Sequence, residues 1–244
     1  MNFIKKIILK LYSKISTFIE NVMYLNKNLD NSFKKIGFLK MRLNHSLSNI
    51  ISFQKKIDRN EYFKILILDK NKIEEIIRKI FIRNEILNKI TALTGFNYKI
   101  SYIISYETLN IPDNLQNNEI YANHWHFDKP YSENVIKVII PLKKIGKDSG
   151  AMKILNIQNS KNIDLYGSSN YLELQGDESD VFLFYPNLCA HKAGVPEINS
   201  TRKQLMLQLN PAKKWSYSKL LYDKQFRIEP KFPLKDIFES EILL

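Results

Sequence analysis

Four residues in this chain combine types and spacing that could do chemistry: His126, Asp128, His191 and Arg202. His126 and Asp128 sit two apart within Tyr121-Ala-Asn-His-Trp-His-Phe-Asp-Lys-Pro130, so on a strand they project from one face. His191 lies far downstream in Ala190-His-Lys-Ala-Gly194, and Arg202 follows it after ten intervening residues. Two imidazoles and one carboxylate make the facial triad that holds ferrous iron and leaves other coordination positions open. An arginine on a nearby strand adds a permanent, forked cation suited to a carboxylate.

The H-x-D…H-x10-R pattern resembles that of the iron(II)/2-oxoglutarate dioxygenases, in particular their phytanoyl-CoA dioxygenase-like branch. The resemblance runs from about Tyr98 to Pro211. Gly176–Pro186 looks like the family's strand and turn leading to the distal histidine. Asp148-Ser-Gly-Ala-Met152 looks like its core turn. One departure is Gly167-Ser-Ser-Asn170, which lacks the histidine of the family's Gly-Ser-His segment. The resemblance implies that His126, Asp128 and His191 hold iron(II) and that 2-oxoglutarate chelates the metal, leaving a position for dioxygen. Arg202 would anchor the far carboxylate of the keto acid. It also implies decarboxylation to succinate coupled to attack on a C–H bond. Asp128 favours hydroxylation or desaturation over halogenation, where a small residue replaces the carboxylate.

Other residues gather around this pattern. Strand parity puts Gln204 on the face of Arg202, with Met206 and Gln208, while Leu205, Leu207 and Leu209 take the other face. That predicts a polar barrel lumen wrapped in an apolar exterior, as an active-site barrel needs. Lys137, inside an otherwise apolar strand, is expected to reach a carboxylate of co-substrate or substrate; edge exposure is the alternative. Tyr102 and Tyr106 share one face and either line the pocket or pack as core. His124 shares the predicted face of His126 and is read as substrate-facing or lying behind the ligands. A cupin H-x-H site would need a glutamate where Pro130 and Tyr131 stand. Cys189 reads as a small buried hydrophobe.

The elements that must position these residues follow from pattern. The chain of 244 residues can bury one core, and 44% apolar with 12% aromatic residues is globular. A single cysteine excludes an internal disulfide framework and fits a reducing, cytoplasmic setting. Residues 1–60 carry twelve Lys/Arg against three Asp/Glu, a net +9 of the total +12. No nucleic-acid motif accompanies that charge, which argues against nucleic acid as partner.

Ile4, Ile8, Leu11, Ile15, Phe18 and Val22 alternate in steps of four and three, predicting a helix over 2–24 with one apolar stripe. The stripe is expected to pack on the barrel or on another subunit. The alternative is a basic helix resting on an anionic membrane surface. A second helix is predicted over 32–57, a strand over 62–68, and a helix from Asp69 or Asn71 to Leu93 stopped by Gly95. Strands are predicted over 98–108, 121–128, 134–142, 150–155, 171–174, 180–186 and 202–209. The expected architecture is mainly β with flanking helices (α+β). It is a double-stranded β-helix, or jelly-roll barrel, over 61–211, with a basic helical segment over 1–60 and an extension over 212–244. The expected partner is a small-molecule substrate, anionic or carrier-linked, in a chain that could form a homo-oligomer. A non-catalytic jelly-roll binding protein, or a membrane-surface protein using its basic helices, is the competing reading.

Overall fold

The computed structural model describes residues 3–26, 31–45, 47, 50–128, 132–166, 169–226 and 239–244. Pro130, Tyr131 and the Gly167-Ser168 step fall outside this set, as do the side chains of residues 3–6. The described residues form twelve strands: β1 (Phe38–Arg42), β2 (Phe53–Asn60), β3 (Phe63–Leu68), β4 (Asn97–Leu109), β5 (Ile136–Pro141) and β6 (Met152–Ile154), followed by β7 (Leu172–Leu174), β8 (Asp180–Phe184), β9 (His191–Lys192), β10 (Thr201–Ala212), β11 (Ser216–Ser218) and β12 (Glu241–Leu243). Nine form one large sheet in the order β1-β8-β5-β10-β4-β11-β12, with β3 added to β4 and β2 to β3. The other three form a small sheet, β7-β6-β9. Two sheets of largely antiparallel strands enclosing a lumen make the jelly roll that the strand pattern predicts.

β10 is the spine. It pairs antiparallel with β4 along its whole length and with β5 from Gln204 to Leu209. The predicted parity holds: Leu205, Leu207 and Leu209 join the main core with Ile136, Val138, Ile140, Val181 and Leu183. Arg202, Gln204, Met206 and Gln208 face the lumen. A bulge opposite Gln208/Leu209 inserts Ser101 into β4, so that Tyr98 and Ile100 turn to the outer core while Tyr102, Ile104 and Tyr106 stay inside. The outer core is covered by α2 (Asn31–Ile36), α3 (Ile73–Arg78), a π-helical turn over Lys79–Arg83, and α4 (Ile86–Thr94).

Three local predictions need correction. Residues 32–57 are not one helix: α2 stops at Ile36, and Gly37 follows at φ +92°, where an added Cβ would sit 2.4 Å from Cys189 Sγ. β1 then pairs with β8, and β2 makes the outer edge against β3. Lysines at alternate and adjacent edge positions read as a helix face in sequence; here they protect a sheet edge. The helix predicted from 69 to 93 breaks at Asn84–Glu85. Asn84 is fully buried, bonding His45 N and Lys79 O, and Glu85 takes a left-handed φ of 56°. Gly95 does stop α4, at φ +78° with its N–H bonded to Thr91 O. Residues 121–128 do not form a continuous strand: Ala122 has φ +62°, and only His126 makes a β-bridge, to His191.

The largest departure concerns α1 (Phe3–Tyr24). Its apolar stripe does not cover the barrel among the described residues. Instead its polar side docks. Ser132 Oγ donates to Glu20 Oε2 at 2.6 Å, Asn134 Nδ2 bonds Glu20 and Asn21, Glu133 N bonds Thr17 Oγ1, and Asn187 Nδ2 bonds Ser13 Oγ. Positions 13, 17, 20 and 21 form one helix face.

Burial raises the Glu20 carboxyl from its ordinary 4.5 to about 7, against the hydrogen bonds from Ser132 and Asn134. The folded value lies above the unfolded one, so the folded state holds the proton more tightly between these limits. Its contribution is fully present below about 4.5 and is lost as pH rises through about 7. We therefore expect Glu20→Gln, which keeps an acceptor for Ser132, to remove a loss of stability on the order of 3 kcal/mol between pH 4.5 and pH 8. Urea denaturation at both pH values checks this; parallel curves for the wild-type and Gln proteins at both would contradict it.

Candidate metal centre

The site is assembled by backbone pairing between two segments remote in sequence. His191 opens β9, which pairs with β6 in the small sheet. The irregular segment 122–128 lies against the other side of His191. His126 N donates to His191 O and His191 N donates to His126 O, each at 3.0 Å. Ala193 N bonds Ala122 O at one end and Asp128 N bonds Pro186 O at the other. This ladder fixes both imidazoles and the carboxylate on one side, although the segment is too irregular to be a strand. One ligand atom from each of His126, Asp128 and His191 lies within 4.8 Å of the others. His126 Nε2 is 3.6 Å and His191 Nε2 3.8 Å from Asp128 Oδ1.

The hydrogen bonds on the far side of each ring settle what those atoms are. His126 Nδ1 lies 2.8 Å from His124 O, and His191 Nδ1 lies 2.9 Å from Cys189 O. A carbonyl only accepts, so Nδ1 carries a proton in each ring, and a neutral ring so held presents its lone pair at Nε2. Burial pushes the His191 imidazole down to about 4, outweighing the pull of Asp128, so it stays neutral at pH 7. Burial alone would raise Asp128; Lys137 and the two imidazoles outweigh it and hold the carboxyl below its ordinary value. Nε2 of both rings and one carboxylate oxygen therefore face a common point. A cation at that point satisfies all three, and this donor set suits divalent iron. Fold and site together define a jelly roll whose cavity carries a two-histidine, one-carboxylate cluster able to hold a metal ion.

Lys137, on β5, forms an ion pair with Asp128 Oδ2. The carboxylate it reaches is thus that of Asp128 itself, leaving Oδ1 toward the imidazoles. Arg202 stands elsewhere on the same cavity wall, 1% exposed. Its Nη1 donates to Gly150 O at 2.8 Å and to Gly194 O at 3.4 Å, and its Nε has no partner. Gly150 adopts φ +70°, and a Cβ there would meet Gly194 O at 2.7 Å. Only glycine lets the two carbonyls close on the guanidinium in this way. No carboxylate pairs with Arg202 among the described residues; the phenols of Tyr106 and Tyr121 lie beside it, and burial lowers its pKa from the ordinary arginine value. A buried cation left without a counter-charge is costly and marks a place for an anion.

The cavity, about 500 Å³, is lined by the triad, Lys137, Arg202 and Gln204, and by Tyr102 and Tyr106. Gln204 Nε2 bonds the Tyr106 hydroxyl. Burial raises the Tyr102 phenol well above its ordinary value and the Tyr121 phenol to about 12, so both remain neutral donors. His124 is turned away. Its ring is exposed, with Nε2 3.2 Å from Gln116 O, and lines a separate depression beside Trp125. It serves the site through its carbonyl, which orients His126. Sequence reasoning missed Arg59, Phe63 and Tyr121 on the cavity wall. Arg59 was hidden within the general basic charge of residues 1–60; β3 was expected as a strand, but the first half of β2, which delivers Arg59, was assigned to the 32–57 helix.

No family model and no curated protein matches the chain. Solved structures do. The non-heme alpha ketoglutarate dependent epimerase SnoN from nogalamycin biosynthesis aligns with a TM-score of 0.54 at 11% identity, over 75% of this chain and 81% of that one. SnoN in complex with Fe3+, alpha ketoglutarate and nogalamycin RO aligns at 0.52 and 9% identity, over 72% and 80%. The carbocyclase SnoK from the same biosynthesis, also non-heme and alpha ketoglutarate dependent, aligns at 0.50 and 12%, over 76% and 84%. At these identities the likeness establishes a shared fold.

A chelator-treated sample should therefore gain stability with iron(II) or nickel(II), by about 2.7 kcal/mol at a hundredfold excess over Kd. One metal per chain should bind. Ala in place of His126, Asp128 or His191 should remove the gain, as read by differential scanning calorimetry. An undiminished gain in all three variants would place the metal elsewhere.

Proposed function

We propose that the chain is an iron(II)/2-oxoglutarate-dependent oxygenase that hydroxylates or desaturates a small molecule. The observation that carries this is one cavity holding both a convergent His126–Asp128–His191 donor set and a buried arginine without a counter-charge. A mononuclear metal alone would not call for Arg202; an anion-binding pocket alone would not call for three converging ligands.

When bound, iron(II) and 2-oxoglutarate supply the dioxygen chemistry, in which the keto acid loses CO2 to become succinate and a C–H bond of the substrate is oxidised. His126, Asp128 and His191 hold the metal. Lys137 keeps Asp128 ionised and restrains Oδ2, so that Oδ1 stays aimed at the metal. Arg202 takes the far carboxylate of the keto acid. Its guanidinium is held by the Gly150 and Gly194 carbonyls before any ligand arrives, so little side-chain freedom is lost on binding. The Tyr106–Gln204 pair forms a polar shelf beside Arg202. Phe63, Ile104 and Met206 complete the wall with apolar surface that excludes water and suits a substrate with a substantial apolar portion.

The test is succinate release by purified protein supplied with iron(II), ascorbate and 2-oxoglutarate, with Arg202 varied. Arg202→Ala should keep the metal yet raise the 2-oxoglutarate requirement about 30- to 1000-fold, the equivalent of roughly 2–4 kcal/mol for a lost charge-assisted contact. Arg202→Lys should recover only part, since a point charge cannot reproduce the fork. An unchanged 2-oxoglutarate dependence in Arg202→Ala would remove this residue from the site, and no metal-dependent succinate under any condition would overturn the oxygenase reading.

A further inference from the structure

Helix α1 is mounted inside out. Ser13, Ser16, Thr17 and Glu20 face the protein, with Ser16 and Glu20 buried. On the opposite side Ile7, Ile8, Leu11, Ile15, Phe18 and Val22 stand 47–70% exposed. At 100° per residue, the mean directions of these two sets lie nearly opposite on the helix. An amphipathic helix on a soluble domain ordinarily turns the other way, with apolar residues inward. Six large apolar side chains in one contiguous strip exceed what a monomer leaves to water without purpose. The polar network to Ser132, Glu133, Asn134 and Asn187 holds that strip outward, so it is presented by the fold.

Charge identifies the occupant. Lys10 and Lys14 are exposed and flank the strip. The single acidic residue of α1, Glu20, is buried, so the outward surface of this helix carries apolar groups and positive charge with no acid. Residues 1–60 as a whole carry +9. Pairing the strip with a second copy would bring two such segments together. An anionic bilayer surface instead accepts the apolar strip among its acyl chains and neutralises the flanking lysines at the headgroups. No described helix is long and apolar enough to cross a membrane, which leaves lying on the surface as the geometry. We propose that α1 is an interfacial helix that seats this protein on an anionic lipid surface. The proposal does not depend on the chemistry assigned to the metal centre.

The experiment is co-sedimentation of the full chain with phosphatidylcholine vesicles, with and without phosphatidylglycerol. Wild-type protein should pellet with the phosphatidylglycerol vesicles and remain in the supernatant with phosphatidylcholine alone. Binding should weaken as salt shortens the Debye length from about 8 Å to about 3 Å. Lys10→Ala with Lys14→Ala should bind about 30-fold more weakly, from about 1 kcal/mol per lysine at the headgroups. Leu11→Gln with Phe18→Gln should abolish pelleting while leaving the melting temperature and the metal-dependent stabilisation unchanged, because those side chains are exposed in the fold. Three results would overturn the proposal. Wild-type protein could stay in solution with anionic vesicles. It could sediment as a dimer that the Leu11/Phe18 variant dissociates, making a second copy the occupant. Or that variant could melt at a much lower temperature, placing the strip in the core.

Discussion

The structure turns on a reciprocal pair of backbone hydrogen bonds between His126 and His191, each 3.0 Å. Sixty-four residues separate these histidines in sequence. Neither belongs to a strand long enough to define its own direction. The pair brings the imidazoles together, and carbonyls from residues two places before each then fix both tautomers. Everything else about the centre is support. β5 brings Lys137 to Asp128, β10 carries Arg202 to the same cavity, and the Gly150 and Gly194 carbonyls hold the guanidinium. A buried arginine without a carboxylate and three acceptors converging on one point are both unfavourable arrangements on their own. They become economical only when an anion and a cation complete them, which is the physical reason to read the cavity as a binding site.

Much of this was legible because sheets convert sequence parity into sidedness. The alternation in Arg202-Lys-Gln-Leu-Met-Leu-Gln-Leu209 assigns one face to polar groups and one to leucines, and the structure puts the polar face in the lumen. The same rule places Lys137 and Ile139 inside and Val138 and Ile140 outside on β5. Parity failed where the backbone is irregular. Residues 121–128 contain a left-handed Ala122, so His124 does not share the cavity with His126. The bulge in β4 likewise redirects Tyr98 and Ile100, and nothing in the local pattern announces it.

Helix periodicity was legible but its orientation was not. The four-and-three spacing of the α1 stripe identifies a helix correctly. Which side it buries depends on partners supplied by residues 132–134 and 187, more than a hundred residues away. Four hydrogen-bonding side chains at 13, 17, 20 and 21 look in sequence like a solvated face, and they turn out to be the docking face. Lysine-rich segments misled for a related reason: over 38–60, charge at closely spaced positions belongs equally to a helix surface and to edge strands. Pairing of β1 with the remote β8, and of β2 with its hairpin partner β3, decides the matter.

The most direct measurement of the central claim is a crystal structure grown without oxygen, with nickel(II) standing in for iron and 2-oxoglutarate present. The account predicts one metal ligated by His126 Nε2, His191 Nε2 and a carboxylate oxygen of Asp128, with the keto acid in the same cavity and its far carboxylate on the Arg202 guanidinium. A metal bound elsewhere, or a keto acid that leaves Arg202 unpaired, would contradict it.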